Sequence, residues 1–225
     1  MTQPNSPRRA RSRRNRPLLP RLALAVAAIG LFLLAYQWGN QSRFGGGQPP
    51  AIGGVLLRPA QPLPDFVLTT TTGAPFGRAD LLEHWSLLAI ATLTGADGHR
   101  SLARLVDVYN RLAGQQQLRA RLQLLLLTAD AVPALARDFE RLSPAIAVLS
   151  AERAAVAELA GALGADPEQA PSGADGEPPT LFLLDPAAEL VALFPSAQAP
   201  ADIAEDIRAL ERYWAHRPEP DAADD

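Results

Sequence analysis

Two almost unbroken apolar runs limit the architecture of this chain more than any other feature. Ser86–Leu93 reads SLLAIATL and Leu122–Thr128 reads LQLLLLT. Both have the length of strands, and neither alternates with polar residues. They predict strands buried on both faces, which requires helices above and below the sheet. The flanking segments supply those helices. Ser101 is a predicted N-cap, and Leu102, Leu105, Val106, Tyr109 and Leu112 follow at helical spacing, so a helix is expected to about Ala113, closed by Gly114. A second helix is predicted over Val132–Leu142, with Leu135 and Phe139 inward and Ser143-Pro144 as its break. Ile146–Leu149 reads as a short strand leading through Ser150 as N-cap into a helix over Glu152–Leu163, stopped by Gly164. Thr180–Leu184 and Leu190–Phe194 form a hairpin pattern around Asp185-Pro186-Ala187-Ala188-Glu189. The last helix, Pro200–Trp214, would bury Ile203, Ile207, Leu210 and Trp214. Ahead of all these, Leu63–Leu68 reads as an edge strand, followed by a Thr-rich turn closing at Gly73 and a helical turn over Ala79–Leu82. The order β, β, α, β, α, β, α, β, β, α predicts an α/β fold, a mixed sheet with helices on both faces.

The amino terminus has a different character. Leu22–Tyr36 is an uninterrupted apolar run, extended by Leu18 and Leu19 before it and Trp38 after it. At about 1.5 Å per residue, Leu18 to Trp38 reaches roughly 30 Å, the thickness of a bilayer core. Tyr36-Gln37-Trp38-Gly39-Asn40 is bulky where a signal-peptide cleavage site needs small side chains, so residues 18–38 are read as a retained single-pass transmembrane helix. The Arg-rich segment 1–17 would stay cytoplasmic by the positive-inside rule. The body is then expected to lie outside the cytoplasm, which for a bacterial inner membrane is the periplasm. Residues 39–61, rich in Gly and Pro, read as a linker, 62–214 as the folded domain, and 215–225 as a disordered acidic tail.

Charge and cysteine content exclude whole classes of function. Of 21 basic and 24 acidic residues, eight basic ones fall in the first 43, so the remainder carries 13 against 24, a net of −11. An acidic body lacks the basic footprint that nucleic-acid binding requires. The chain has no cysteine, which removes disulfide exchange, thiolate nucleophiles and thiolate metal ligands together.

In an open α/β sheet, ligands collect beyond the carboxyl end of a central strand, where the next helix begins. Here that place is Thr94-Gly95-Ala96-Asp97-Gly98-His99-Arg100-Ser101, read as a polar loop. His99, Asp97 and Asp130 are candidate ligands for a hard or borderline metal, a weak constellation in a chain with 24 acids. His84 reads as a surface residue at a strand entrance, and His216 lies in the tail. Thr69–Thr72 reads as a turn and not a nucleophile cluster, because no base is placed near it. No catalytic residue and no cofactor are assigned.

Several short pieces together resemble the Sco/SenC family of membrane-anchored, thioredoxin-fold proteins that assist copper insertion into cytochrome c oxidase. These are Pro64-Asp65-Phe66 with the strand and Gly turn after it, Asp80-Leu81, Trp85, Leu93-Thr94, Ala129-Asp130 and Leu183-Leu184-Asp185-Pro186. The resemblance covers about 62–214 and implies a thioredoxin-like fold. It also implies a cis-proline at Pro179. The family's copper site is a Cys-x-x-x-Cys loop with a His before the last hairpin. This chain offers Ala96 and Arg100 in the loop, and Gly173 to Pro179 contains no His. Its only methionine is Met1. Ala188 stands where the family's hairpin turn has Gly, which predicts a different turn type.

The resemblance and its departures imply a non-catalytic, membrane-anchored binding or assembly factor without the usual copper site. Its partner would be a protein of the cell envelope, such as a respiratory oxidase subunit or assembly factor. A thioredoxin- or peroxiredoxin-like redox enzyme is the alternative that zero cysteine disfavours. A metal carrier using His99 and carboxylates is the other.

Overall fold

The structure is a computed structural model, and it describes residues 49–165 and 179–215. The expected transmembrane helix 18–38, the basic segment 1–17, the Asp166–Pro178 loop and the tail from His216 onward lie outside the described residues. Among the described residues no helix is long and apolar enough to cross a membrane.

The strands are β1 Val55–Pro62, β2 Val67–Thr70, β3 Pro75–Gly77, β4 Trp85–Ile90, β5 Leu122–Thr128, β6 Ile146–Ser150, β7 Leu181–Leu184 and β8 Glu189–Phe194. The helices are α1 Ala96–Arg111, α2 Gln116–Arg121, α3 Pro133–Glu140, α4 Arg153–Ala162 and α5 Pro200–Ala215, with a 3-10 turn at Arg78–Leu81. All strands join one sheet in the order β1-β8-β7-β4-β5-β6-β2-β3. β4, β5 and β6 are parallel, with Leu87 opposite Leu124 and Leu126 opposite Val148. The outer strands pair antiparallel. This is a thioredoxin-like α/β fold with a mixed sheet.

The apolar runs behave as their lack of alternation predicts. Leu87 and Ala89 of β4, with Leu124 and Leu126 of β5, pack under Leu102 and Leu105 of α1 and Ile203 and Ile207 of α5. Leu88, Leu125 and Leu127 point to the other face, against Leu81, Leu159 and Leu163. Side chains alternate across a strand, so two apolar faces need a continuous apolar sequence. Each leucine taken fully out of water in this way contributes about 1.5–3 kcal/mol.

Three boundaries differ from the sequence reading, each for a physical reason. The expected linker 39–61 ends early, because Val55–Pro62 forms edge strand β1 against β8. That ladder is interrupted between Leu56 and Gln61, so Pro59, which has no N–H, costs it no bond. The expected edge strand Leu63–Leu68 is β2, which starts at Val67 and is not an edge, because it pairs with β6 on one side and on the other with β3, which the sequence reading lacked. The expected loop 94–101 is already helical from Ala96, with Gly95 as N-cap, and Ser101 is buried within α1 and caps nothing. Gly98 permits this. A Cβ there would stand 2.8 Å from the Thr92 carbonyl oxygen and 2.9 Å from the Leu93 Cα, so only glycine lets the first turn of α1 sit on the end of β4.

The β7–β8 turn carries Ala188 at the place where the resemblance puts glycine. Ala188 takes the left-handed conformation, φ 59°, that favours glycine. Asp185 holds it there. Its Oδ1 accepts the N–H groups of Ala187 and Glu189, both at 3.0 Å, its Oδ2 accepts Trp214 Nε1–H at 3.1 Å, and its carbonyl accepts the Ala188 N–H at 2.9 Å. The carboxylate is buried at 2% exposure, so these bonds form in a low dielectric, and they outweigh the left-handed cost of about 1–2 kcal/mol.

Gly98→Ala is expected to lower stability by about 1–3 kcal/mol, because the clash is with backbone and exceeds the gain in helix propensity. Gly114→Ala, with nothing within 4 Å of the new Cβ, is expected to be neutral or mildly stabilising. Denaturant unfolding of the two variants measures the difference.

Candidate functional site

The carboxyl ends of β4 and β5 and the first turn of α1 meet at one end of the sheet. Thr94 follows β4 and Asp130 follows β5. The Thr94 N–H and hydroxyl both donate to Asp130 Oδ2, at 3.3 and 3.4 Å. The Asp130 N–H in turn donates to Thr128 Oγ1 at 3.1 Å. Asp130 therefore ties the two strand ends together across the sheet.

Asp97 and Arg100 lie in the first turns of α1 and form an i,i+3 ion pair between Arg100 Nη2 and Asp97 Oδ1. The pair is partly buried, with Arg100 33% and Asp97 25% exposed. Asp97 also lies in the first turn of α1, where a carboxylate stabilises the helix through its dipole. His99 is exposed, its Nδ1 lies 3.4 Å from the Gly95 carbonyl oxygen, and its ring meets Phe139 of α3 edge-on with centroids 5.1 Å apart.

The sequence places His99, Asp97 and Asp130 in one region, and the structure gives each a different neighbour: Phe139, Arg100 and Thr94. Among the described residues no three His, Asp or Glu side chains gather as a metal-holding group. Soft Cu(I) favours thiolate and thioether sulfur, and the side-chain donors at this turn are carboxylates, a hydroxyl and the single imidazole of His99. Arg100 is a permanent cation in contact with the nearest carboxylate, Asp97. His84 is exposed at the entrance to β4, as the sequence suggested. Of the expected Thr69–Thr72 turn, Thr69 and Thr70 end β2 and Thr71 and Thr72 form the turn, across which Thr70 Oγ1 accepts the Ala74 N–H at 3.1 Å. Among the described residues the cis peptide bond is Arg58–Pro59; the bond joining 178 to 179, where cis-Pro179 was expected, lies outside them.

Sequence reasoning missed two buried charges beside this turn. Arg104 of α1 donates to the carbonyl oxygens of Ser196, Pro195 and Gln198 at 2.6, 2.7 and 2.9 Å. Burial lowers its pKa from the ordinary arginine value. Asp206 of α5, 8% exposed, accepts Gln198 Nε2–H and the N–H groups of Gly53 and Gly54. The available signal was phase. Arg104 adjoins Leu105 and lies three residues past Ser101, and Asp206 lies three past Ile203, so both fall on the apolar side of their helices.

Asp97→Ala removes both the ion pair and a carboxylate at the start of a helix. It is expected to cost about 0.5–1.5 kcal/mol in denaturant unfolding, with an unchanged denaturant slope.

No curated protein sequence matches the chain significantly. Solved structures do match its fold. Yeast Sco1 with copper bound is 18% identical, with a TM-score of 0.55 over 69% of this chain and 95% of that one. Apo Sco1 from Thermus thermophilus is 22% identical, with a TM-score of 0.54 over 72% of this chain and 97% of that one. BsSco, described as a member of the Sco family of cytochrome c oxidase assembly proteins, is 12% identical, with a TM-score of 0.54 over 70% and 98%. At these identities the likeness is one of fold. The sequence profile of SCO1/SenC matches residues 57–212, from within β1 almost to the end of α5, and with more than half of its length so covered this chain belongs to the SCO1/SenC family.

Proposed function

We propose that this chain is a non-catalytic Sco/SenC-type binding or assembly factor that works without the family's usual copper site, in the biogenesis of cytochrome c oxidase or a related respiratory complex. The observation that carries the reading is the first turn of α1. The chain has no cysteine anywhere, and at this turn Asp97 is paired with Arg100. An ion pair at the start of a helix fixes local structure and offers no electron-rich sulfur to a metal or a disulfide. What such a protein presents is its surface. The oxidase link is taken from relatives such as BsSco, described as belonging to a family of oxidase assembly proteins.

The reading includes the anchor. Residues 18–38 would hold the domain at the periplasmic face of the bacterial inner membrane, and the partner would be an oxidase subunit or assembly factor at that membrane. Zero cysteine supports a non-enzymatic role, since the disulfide and peroxide chemistry of thioredoxin-like enzymes begins at a thiolate.

A strain lacking the gene is expected to lose cytochrome c oxidase activity and the oxidase haem signal under copper limitation. Both are expected to return when either the native chain or its His99→Ala variant is supplied. Normal oxidase activity and haem spectra in the deletion strain contradict the oxidase assignment. Failure of His99→Ala to restore them contradicts a role without a metal.

A further inference from the structure

The amino-terminal strap of the domain is held by an arrangement that no pairing of strands requires. Gly53 N–H reaches Asp206 Oδ1 and Oδ2 at 3.2 and 3.0 Å, and Gly54 N–H reaches Oδ2 at 3.1 Å. Successive amides converging on one carboxylate form an anion-binding nest, here closed on a side chain of α5. The Gln198 side-chain amide completes it at 2.6 Å from Oδ2. The strap is pressed so close that a Cβ on Gly54 would stand 2.6 Å from Phe194 Cδ1 and 2.7 Å from the Leu193 carbonyl oxygen. The β1 ladder beyond it is thin, with pairing at Val55, Leu56, Gln61 and Pro62 and a break between Leu56 and Gln61. The nest is thus a principal fastening of the strap's leading end.

The same fastening continues inward. Gln198 gives its side chain to Asp206 and its carbonyl oxygen to Arg104, which also gathers the carbonyls of Pro195 and Ser196. Arg104 is buried at 6% exposure, and its charge is met by these three carbonyl oxygens. It lies two helical turns after Asp97, on the helix whose first turn is the candidate site. The register puts these pieces at one end of the sheet. Val55 faces Leu193, Leu181 faces Phe194, and Leu88 faces Phe182, while β4 runs outward to Ile90. The strap's beginning, the 195–198 loop and the start of α1 therefore share that end.

We propose that the Gly53–Gly54/Asp206 nest is a latch that couples docking of the strap to the order of α1's first turns, through Gln198 and Arg104. With the latch closed, the 195–198 carbonyls are aligned on Arg104 and the helix start is held. With it open, Gln198 loses its carboxylate partner, the loop carbonyls lose their alignment, and α1 loosens at the end that bears Asp97, His99 and Arg100. Coupling of this kind is reciprocal, so disturbing Arg104 also loosens the strap. The latch depends on geometry alone and holds whether or not the proposed role in oxidase assembly does.

Hydrogen–deuterium exchange on the full-length chain, with peptides over 53–57, 96–104 and α4, tests the coupling. In Asp206→Ala, exchange over both 53–57 and 96–104 is expected to rise about tenfold or more, with α4, on the opposite face, unchanged. Gly54→Ala, which forces the strap off β8 and leaves Asp206 intact, is expected to give the same two-site pattern, and Arg104→Met to speed exchange over 53–57. Acceleration confined to 53–57 in Asp206→Ala and Gly54→Ala overturns the proposal, as does a rise that includes α4 equally. Should Asp206→Ala fail to fold, Asp206→Asn carries the same comparison at smaller amplitude, and the same contrary patterns overturn it.

Discussion

The parallel pairing of β4 with β5 places leucine on both faces of the sheet, Leu87 against Leu124 on one side and Leu88 against Leu125 on the other. Neither face can meet water without a loss of about 1.5–3 kcal/mol per leucine, so both must be roofed. α1 and α5 cover one face and α4 with the 3-10 turn covers the other. The connection from β4 to β5 then has to cross over the sheet as a helix, because parallel neighbours cannot be joined by a tight turn. That crossover is α1. The place where it leaves β4 is where the fold leaves polar side chains and free helix N–H groups together.

Much of this was legible in the residues. Leu122–Thr128 was read with its observed limits, because a long apolar run bounded by polar residues admits few alternatives. Helix α5 was read to within one residue from the spacing of Ile203, Ile207 and Leu210. What escaped depended on contacts distant in sequence. The start of α1 was hidden because Gly98 reads as a loop residue locally, yet acts as the missing Cβ against Thr92 and Leu93. β1 was hidden by its prolines and by a ladder that touches β8 only at its ends. α2, QQLRAR, buries only Leu118 and has no periodic face to detect. The left-handed Ala188 is held by Asp185 side-chain bonds, which no turn preference contains.

The candidate site shows the same division. Its position followed from topology and its residues from the sequence, but their partners did not. Asp97 and Arg100 become neighbours only once 96–111 is known to be helical, since i,i+3 side chains meet on a helix and not in an extended loop. Asp130, a candidate ligand in the sequence, accepts the Thr94 N–H and hydroxyl on Oδ2. Apolar clusters fill both faces of the sheet, and an ion pair and hydrogen bonds to backbone hold the end where α1 begins.

The central claim is that this end of the sheet presents a protein surface and not a copper centre. Titration of the purified chain with Cu(I) under reducing conditions and Cu(II) in air, followed by desalting and metal analysis, tests it most directly. The account predicts no stoichiometric copper retained in either state, with Asp97→Ala and His99→Ala indistinguishable from the native chain. Tight retention of one copper per chain, abolished by His99→Ala, would contradict it.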